Sequence, residues 1–156
     1  MKIDKTSSLE KAKNYAFLLL KFRPRSEKEL FFRLKKKKFQ DSIIKETITF
    51  LKEKKFLDDE IFAASWISAR LKKPLGLKRI KEELRQKGIN QKIIEQKIQE
   101  IKDNYSEEKI VKEIIEKRLP SLKNIASEKI KQRLFAYLVR RGFSLEVVMD
   151  VLNQIF

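Results

Sequence analysis

The chain has 156 residues, of which 38 are Lys or Arg and 22 are Asp or Glu, so its formal net charge is +16. The absence of cysteine excludes disulfides, thiolate chemistry and cysteine-based zinc sites. With three glycines, three prolines and 42% hydrophobic residues, the composition is typical of a folded helical chain. A charge this far from zero favours a polyanionic partner, although solubility alone would also account for it.

No stretch of the sequence is apolar enough to span a bilayer. The longest apolar run, Tyr15 to Leu20, is too short, and the amino terminus contains acids and lacks the uninterrupted apolar run of a secretory signal. We therefore expect a cytoplasmic protein without a membrane partner.

Three segments share one pattern: a leucine, four mostly basic residues and a large apolar residue. They are Leu34 to Phe39 (LKKKKF), Leu84 to Ile89 (LRQKGI) and Leu138 to Phe143 (LVRRGF), with leucines 50 and 54 residues apart. A period of this size indicates a helical repeat array. We predict three modules over residues 1–57, 58–105 and 106–156, each with a helix, a basic helix, a tight turn and a third helix. The first module is the most basic, with 17 basic and 7 acidic side chains.

The first helix is predicted to begin at Ser7, with Glu10 completing a capping box, and to end before Pro24. Arg23 and Arg25 flank that proline. They could bind an oxyanion of a partner, or they could cap the end of the preceding helix, where a cation is favourable against the helix dipole.

The basic helix of the first module is predicted to open at a second capping box, formed by Ser26 and Glu29. In the other two modules this helix should close at Gly88 and Gly142 in the left-handed conformation. Lys38 occupies the same position in the first module, so either a lysine is held left-handed there or the helix ends differently.

Three consecutive acids, Asp58, Asp59 and Glu60, precede the first helix of the second module. Consecutive helical side chains point about 100° apart and cannot converge on one ion, so we predict a helix start and no metal site. The helix is expected to bury Ile61, Phe62, Trp66 and Ile67, although Trp66 could instead stack on a base. Later helices are predicted to begin near Gln40 or Asp41, Asn90, Ser106, Ser127 and Ser144.

The second helix of each module, its central helix, is basic. In the first module the four adjacent lysines Lys35 to Lys38 would spread around the end of this helix, so we expect them to attract phosphates and not to read bases. A helix-turn-helix reader of base edges is disfavoured, since the third helices are dominated by apolar residues. Catalysis is also disfavoured, because the chain lacks histidine, cysteine and a glycine-rich phosphate loop.

Four runs resemble the RecX family of bacterial recombination regulators, in the family's order and spacing. They are RPRSEKEL (Arg23 to Leu30), LDDEIFAASWISARL (Leu57 to Leu71), GLKRIKEELRQKGI (Gly76 to Ile89) and RRGF (Arg140 to Phe143). The resemblance implies an all-α, elongated and curved molecule of three tandem three-helix repeats. It further implies a monomer, without cofactor, that binds in the groove of the RecA filament on single-stranded DNA. There it would inhibit recombinase, ATPase and co-protease activities, and so act in DNA repair, recombination and the SOS response.

The resemblance and the charge pattern together select the candidate residues. Those expected at the RecA or DNA surface are Arg23, Arg25, Lys28, Arg33, Lys35, Lys36, Lys37, Arg70, Lys78, Arg79, Lys81, Arg85, Lys87, Arg140 and Arg141. Those expected to support the fold are Ser26, Glu29, Asp58, Asp59, Phe62, Trp66, Gly76, Gly88, Gly142 and Phe143. Within the first set, the preferred partner surface is an arginine quartet, Arg70, Arg79, Arg140 and Arg141. The competing interpretation is a sequence-nonspecific nucleic-acid-binding module, for single- or double-stranded DNA, with no RecA role.

Overall fold

The computed structural model describes residues 4–156, and over that range it contains nine α-helices, two short 3-10 helices and no strand. The predicted all-helical fold is therefore confirmed. The helices are α1 (Lys5–Phe22), α2 (Glu27–Lys36), α3 (Asp41–Glu53), α4 (Asp59–Leu71), α5 (Leu77–Gln86), α6 (Gln91–Ile101), α7 (Glu107–Arg118), α8 (Ser127–Arg140) and α9 (Leu145–Ile155). None of them is long and apolar enough to cross a membrane.

Most helices begin where the capping residues predict. The Ser26–Glu29 capping box is present in full at the start of α2. Asp58 Oδ1 accepts from the backbone N–H groups of Glu60 and Ile61 at 2.8 and 3.2 Å, so the acidic triplet opens α4 as predicted. Among residues 4–156 no cluster of acids could hold a metal ion.

Two local predictions were wrong. Helix α1 begins at Lys5 and is capped by Asp4, which accepts from the N–H of Thr6 at 3.3 Å, so Ser7 lies inside the first turn. An acid three residues upstream already provides the acceptor that Ser7 was expected to supply. Ile61 is 64% exposed. The buried stripe of α4 runs through Phe62 instead, and the preceding position points about 100° away from it.

Among the described residues, the first compact unit contains residues 4–65 together with Leu84–Ile93. In it, α3 packs against both α1 and α2. The buried side chains of α1 that face this core are mostly small, which allows close helix packing, whereas α2 and α3 supply larger ones. The fully buried members are Ala12, Ala16, Leu30, Leu34, Ile44 and Leu51.

The second compact unit contains Trp66–Glu83 together with Ile94–Phe156. Its main cluster forms where α9 packs against α7 and α8. The buried residues at its centre are Val111, Ile115, Leu138, Phe143, Val148, Val151 and Leu152. The helices of the predicted middle module contribute to both units, so the three-module boundaries stay a prediction.

The repeated sequence pattern has a local structural cause in the turn that ends each central helix. The N–H of the closing apolar residue donates to the carbonyl of the opening leucine in all three copies: Phe39 to Leu34 at 3.3 Å, Ile89 to Leu84 at 3.0 Å and Phe143 to Leu138 at 3.3 Å. This hydrogen bond is typical of a Schellman turn, which places one residue in the left-handed conformation. That residue is Lys38 (φ 65°), Gly88 (φ 78°) or Gly142 (φ 87°). The first module therefore holds a lysine left-handed.

Replacing Lys38 by glycine should raise the free energy of unfolding by about 1 kcal/mol, because glycine reaches positive φ without the steric cost that a Cβ imposes. The measurement is urea unfolding followed by circular dichroism. Lys38→Ala is the matched control, since alanine removes the charge but keeps the Cβ and should leave stability nearly unchanged. Equal stabilisation by both substitutions would show that charge, and not backbone conformation, is responsible.

Candidate interface for an anionic partner

The start of α2 docks on the turn that follows α5, at a contact we call the first junction. Ser26 is fully buried, and its Oγ donates to the carbonyl oxygen of Lys87 at 2.6 Å. A Cβ added to Gly88 would lie 2.3 Å from Cδ of Lys28 and 2.5 Å from its Cβ, so the backbone of this turn approaches α2 closely. The first junction thus brings together residues that lie about sixty positions apart in the sequence.

The carboxylate of Glu29 is the electrostatic centre of the first junction. It accepts from both terminal nitrogens of Arg23 at 3.1 Å, from Nζ of Lys87 at 2.5 Å and from the N–H of Ser26 at 3.2 Å. Burial raises the pKa of Glu29, but the hydrogen bonds from Arg23, Lys87 and Ser26 outweigh burial and bring the pKa from 4.5 down to about 2. Both cations therefore have an acidic partner within the protein, although one carboxylate balances only one of their two charges.

The start of α5 makes the equivalent contact with the turn that follows α8, which we call the second junction. The N–H of Gly76 donates to the carbonyl of Arg141 at 2.9 Å, and the N–H of Lys78 donates to the carbonyl of Gly142 at 3.2 Å. A Cβ on Gly76 would lie 2.1 Å from the Gly142 carbonyl, and a Cβ on Gly142 would lie 2.4 Å from Cβ of Arg79. Glycine is needed at both positions because the two backbones touch.

Acidic residues from later in the sequence cap the starts of two central helices, α2 and α5. Asp59 Oδ1 accepts from the N–H of Glu27 at 2.9 Å, in the first unit. In the second unit Glu107 accepts from the N–H of Leu77 at 3.4 Å and from the N–H of Ser144 at 3.1 Å. Burial raises the pKa of Asp59, and the neighbouring carboxylate of Glu27 raises it further. Asp59 was predicted to lie at the start of its own helix, and the structure adds this longer-range role.

The arginine quartet converges on one surface cavity beside the second junction. The cavity has a volume of about 510 Å³. Its lining combines five cationic side chains with one leucine and one tyrosine: Arg70, Lys73, Leu75, Arg79, Tyr137, Arg140 and Arg141. These residues come from α4, α5, α8 and the segments between α4 and α5 and after α8.

Glu83 holds one side of the cavity in place. Its carboxylate accepts from Nε of Arg70 at 2.7 Å, from Nε1 of Trp66 at 3.1 Å and from Nε of Arg79 at 3.3 Å, and it also binds the terminal NH2 nitrogen of Arg70. Burial raises the pKa of Glu83, but these donors, above all Arg70, lower it overall. Trp66 is thus half-buried and hydrogen-bonded within the scaffold, and Arg79 remains 47% exposed.

The opposite side of the cavity has aromatic contacts but no acid. The guanidinium carbon of Arg141 lies 5.1 Å from the centre of the Tyr137 ring, and that of Arg118 lies 3.8 Å from the same ring. Within residues 4–156, no carboxylate forms an ion pair with Lys73, Arg140 or Arg141. This side therefore presents cations available to an anion from outside.

The remaining predicted basic residues do not form one cluster. Arg25 donates to the carbonyl of Leu19 at 3.4 Å, which is the helix-capping alternative considered for it. Lys35 pairs with Asp41 at 2.5 Å, and Lys37 lies 5.2 Å from the ring of Tyr15. Arg85 donates to Gln91 within the first unit, and the other side chains, Lys28, Arg33, Lys36, Lys78 and Lys81, are exposed or half-buried on α2 and α5.

Sequence reasoning missed Lys73, Glu83 and Tyr137. Lys73 could have been found, because it lies 50 residues after Arg23, which is the offset of the first two repeats. Glu83 was not among the candidate residues. Tyr137 lies on α8, and nothing in its spacing indicates a cavity.

Comparison with known proteins gives a consistent family assignment. The family models described as RecX first, second and third three-helix domain match residues 12–51, 58–98 and 106–152. The regulatory protein RecX of Chlorobium phaeobacteroides is 34% identical over 148 residues, covering 94% of this chain and 95% of the relative. That of Clostridium acetobutylicum is 35% identical, covering 93% and 69%. The crystal structure of RecX from Lactobacillus salivarius has the same fold, with a TM-score of 0.84 at 21% identity over 96% of this chain and 97% of that one.

The first junction should make stability depend on pH in the acidic range. Because the pKa of Glu29 falls from 4.5 to about 2 on folding, its stabilisation is complete above 4.5 and is lost as the pH falls toward 2. Glu29→Gln should lower the free energy of unfolding by about 2 kcal/mol near neutral pH. It should also make that free energy depend less on pH in the acidic range. Urea titrations across the acidic range provide the measurement. An unchanged slope in the variant would assign the pH dependence to other carboxyl groups.

The second junction should be sensitive to a single added methyl group. Gly142→Ala should lower the free energy of unfolding by about 3 kcal/mol, through positive φ and a collision with Arg79 backbone atoms. Gly88→Ala is the matched comparison, since it shares the positive φ but meets mainly the movable side chain of Lys28. Thermal unfolding of both variants measures the difference, and equal losses would argue against a specific backbone contact at the second junction.

Proposed function

The chain belongs to the RecX family of regulatory proteins, and from that premise we propose that it is mainly a negative modulator of the RecA recombinase. It binds in the groove of the RecA filament on single-stranded DNA and inhibits recombinase, ATPase and co-protease activities. It acts in the cytoplasm as a monomer and as a binding protein, without a cofactor. Attraction comes from the basic surface, and selectivity comes from several contacts made by successive repeats.

One observation carries this proposal: the arginine quartet lines a single cavity with Lys73. These four arginines were selected as the partner surface from sequence, and they lie on separate elements of the second unit. Arginine forks are suited to both carboxylates and phosphates, so such a surface can contact an acidic protein face and nearby DNA. Of the quartet, Arg140 and Arg141 have no acidic partner among residues 4–156, which leaves their charge available.

The second candidate function is nonspecific binding to nucleic acid without a RecA role, which the net charge of +16 favours. The two functions differ in stoichiometry. RecA ATPase activity on single-stranded DNA, titrated with this protein far below the nucleotide concentration, should be inhibited if the filament is the target. Inhibition that begins only as the DNA becomes coated would favour the second function.

Mutating Arg140 and Arg141 together to alanine should raise the concentration needed for half-inhibition of RecA ATPase about tenfold, because a loss of about 1.4 kcal/mol in binding is a factor of ten. The matched control replaces Lys129 and Arg133 by alanine. It removes two cations from exposed positions on the same helix, away from the cavity, and should change the dose response little. An equal response of both double variants would mean that only net charge matters and would remove the pair from the interface.

A further inference from the structure

The two junctions are built alike but differ in charge at one decisive position. With the repeat offsets of 50 and 54 residues, Arg23 corresponds to Lys73, and Lys87 corresponds to Arg141. These pairs keep a cation at both junctions. Glu29, however, corresponds to Arg79, so the carboxylate that neutralises the first junction is replaced by a third cation at the second.

In the second repeat the acid lies one helical turn further along the central helix than Glu29 does in the first repeat. Glu83 corresponds to Arg33, so acid and base have exchanged places between α2 and α5. From its new position Glu83 binds Arg70 and Arg79 and does not line the cavity. Lys73, Arg140 and Arg141 are left without a carboxylate among the described residues.

Like charges gathered in this way repel one another, and the repulsion falls when an anion enters between them. In the first junction Glu29 is that anion, with Arg23, Lys87 and the N–H of Ser26 as its donors. The second junction has the corresponding cations and a cavity of about 510 Å³ in place of the carboxylate. No carboxylate lines that cavity.

We propose that this cavity binds a backbone phosphate of single-stranded nucleic acid, an inference that deepens the proposed function and rests on it for the presence of DNA. The cavity volume lies in the range of small-molecule pockets, roughly 300–1,000 Å³, so it can admit a nucleotide and not only an ion. Tyr137 already contacts the guanidinium groups of Arg118 and Arg141, which lie 3.8 and 5.1 Å from the centre of its ring, so the cavity is suited to a phosphate and not to a stacked base. The three cavity cations without an acidic partner, Lys73, Arg140 and Arg141, match repeated phosphate charge better than an isolated acidic side chain of a protein.

The first junction supplies the design of the test variant. Arg79→Glu would install at the second junction the carboxylate that Glu29 provides at the first, and would thereby occupy the site from within. Arg133→Glu is the matched control, because it makes the same charge change at an exposed position of α8 outside the cavity. Arg140→Gln is a second cavity variant, which removes an exposed cation without disturbing Glu83 or the glycine contact.

Binding of a fluorescein-labelled oligothymidylate, followed by anisotropy at several salt concentrations without RecA, measures the effect. Arg79→Glu should weaken binding at low salt about tenfold or more, and Arg140→Gln should lower the magnitude of the salt slope by about 0.7, the contribution of one phosphate contact on a single strand. Arg133→Glu should weaken binding much less than Arg79→Glu. Circular dichroism measures whether each variant is folded. If Arg79→Glu does not fold, Arg140→Gln still tests the cavity.

Two outcomes would overturn the inference. If the folded cavity variants and Arg133→Glu bind the oligothymidylate with the same affinity and salt slope, the cavity holds no phosphate of the strand. If polyglutamate displaces the oligothymidylate from the wild type, at equal charge concentration, as well as unlabelled oligothymidylate does, the site is one for acidic peptides. Because RecA is absent, either result leaves the ATPase inhibition test of the proposed function independent.

Discussion

The close approach of one helix start to the turn of the next repeat is the constraint on which the rest of this structure depends. At the second junction the backbone N–H groups of Gly76 and Lys78 donate to the carbonyls of Arg141 and Gly142. The contact admits no side chain at either glycine. It fixes the start of α5 against the end of α8, and so it decides which side chains surround the cavity. The placement of Arg79 beside Arg141 is a consequence of backbone hydrogen bonding and not of any attraction between the two cations.

The same architecture supports opposite electrostatics in the two compact units. At the first junction Glu29 is hydrogen-bonded by Arg23 and Lys87, and the net effect is a strongly lowered carboxyl pKa. At the second junction the acid lies one turn further along the helix, where it orients Arg70 and leaves other cations unpaired. In a repeat protein the same backbone contact can therefore carry an internal ion cluster in one repeat and a cationic surface in another.

The local part of the fold could be predicted from sequence, and the long-range part could not. The leucine, left-handed residue and closing apolar residue of each turn are consecutive in the chain, so their pattern revealed the repeat. The Ser26–Glu29 capping box is equally local. The buried hydrogen bond from Ser26 to the carbonyl of Lys87 joins residues 61 positions apart, and no spacing rule anticipates it. The prediction that Ile61 is buried was wrong because two adjacent faces of a short helix are hard to distinguish by periodicity alone.

For the candidate surface too, the residue types could be predicted from sequence but their contacts could not. The arginine quartet was chosen by family resemblance, whereas its convergence on one cavity depends on tertiary structure. Glu83 and Tyr137 were missed because their roles arise from contacts between elements. Lys73 was accessible in principle, since extending the repeat alignment upstream of the leucines places it opposite Arg23.

The acidic residues that cap α2 and α5 both lie later in the sequence than the helix that they cap. Asp59 completes the start of α2 and Glu107 completes the start of α5, whereas α8 begins at Ser127 and has no side-chain cap from the preceding Ala126. Each central helix that has such a cap receives it from the sequence that follows, never from the sequence that precedes. Trimming residues from the carboxyl-terminal side would thus expose amide groups in the part that remains, while trimming from the amino-terminal side would leave the surviving caps intact.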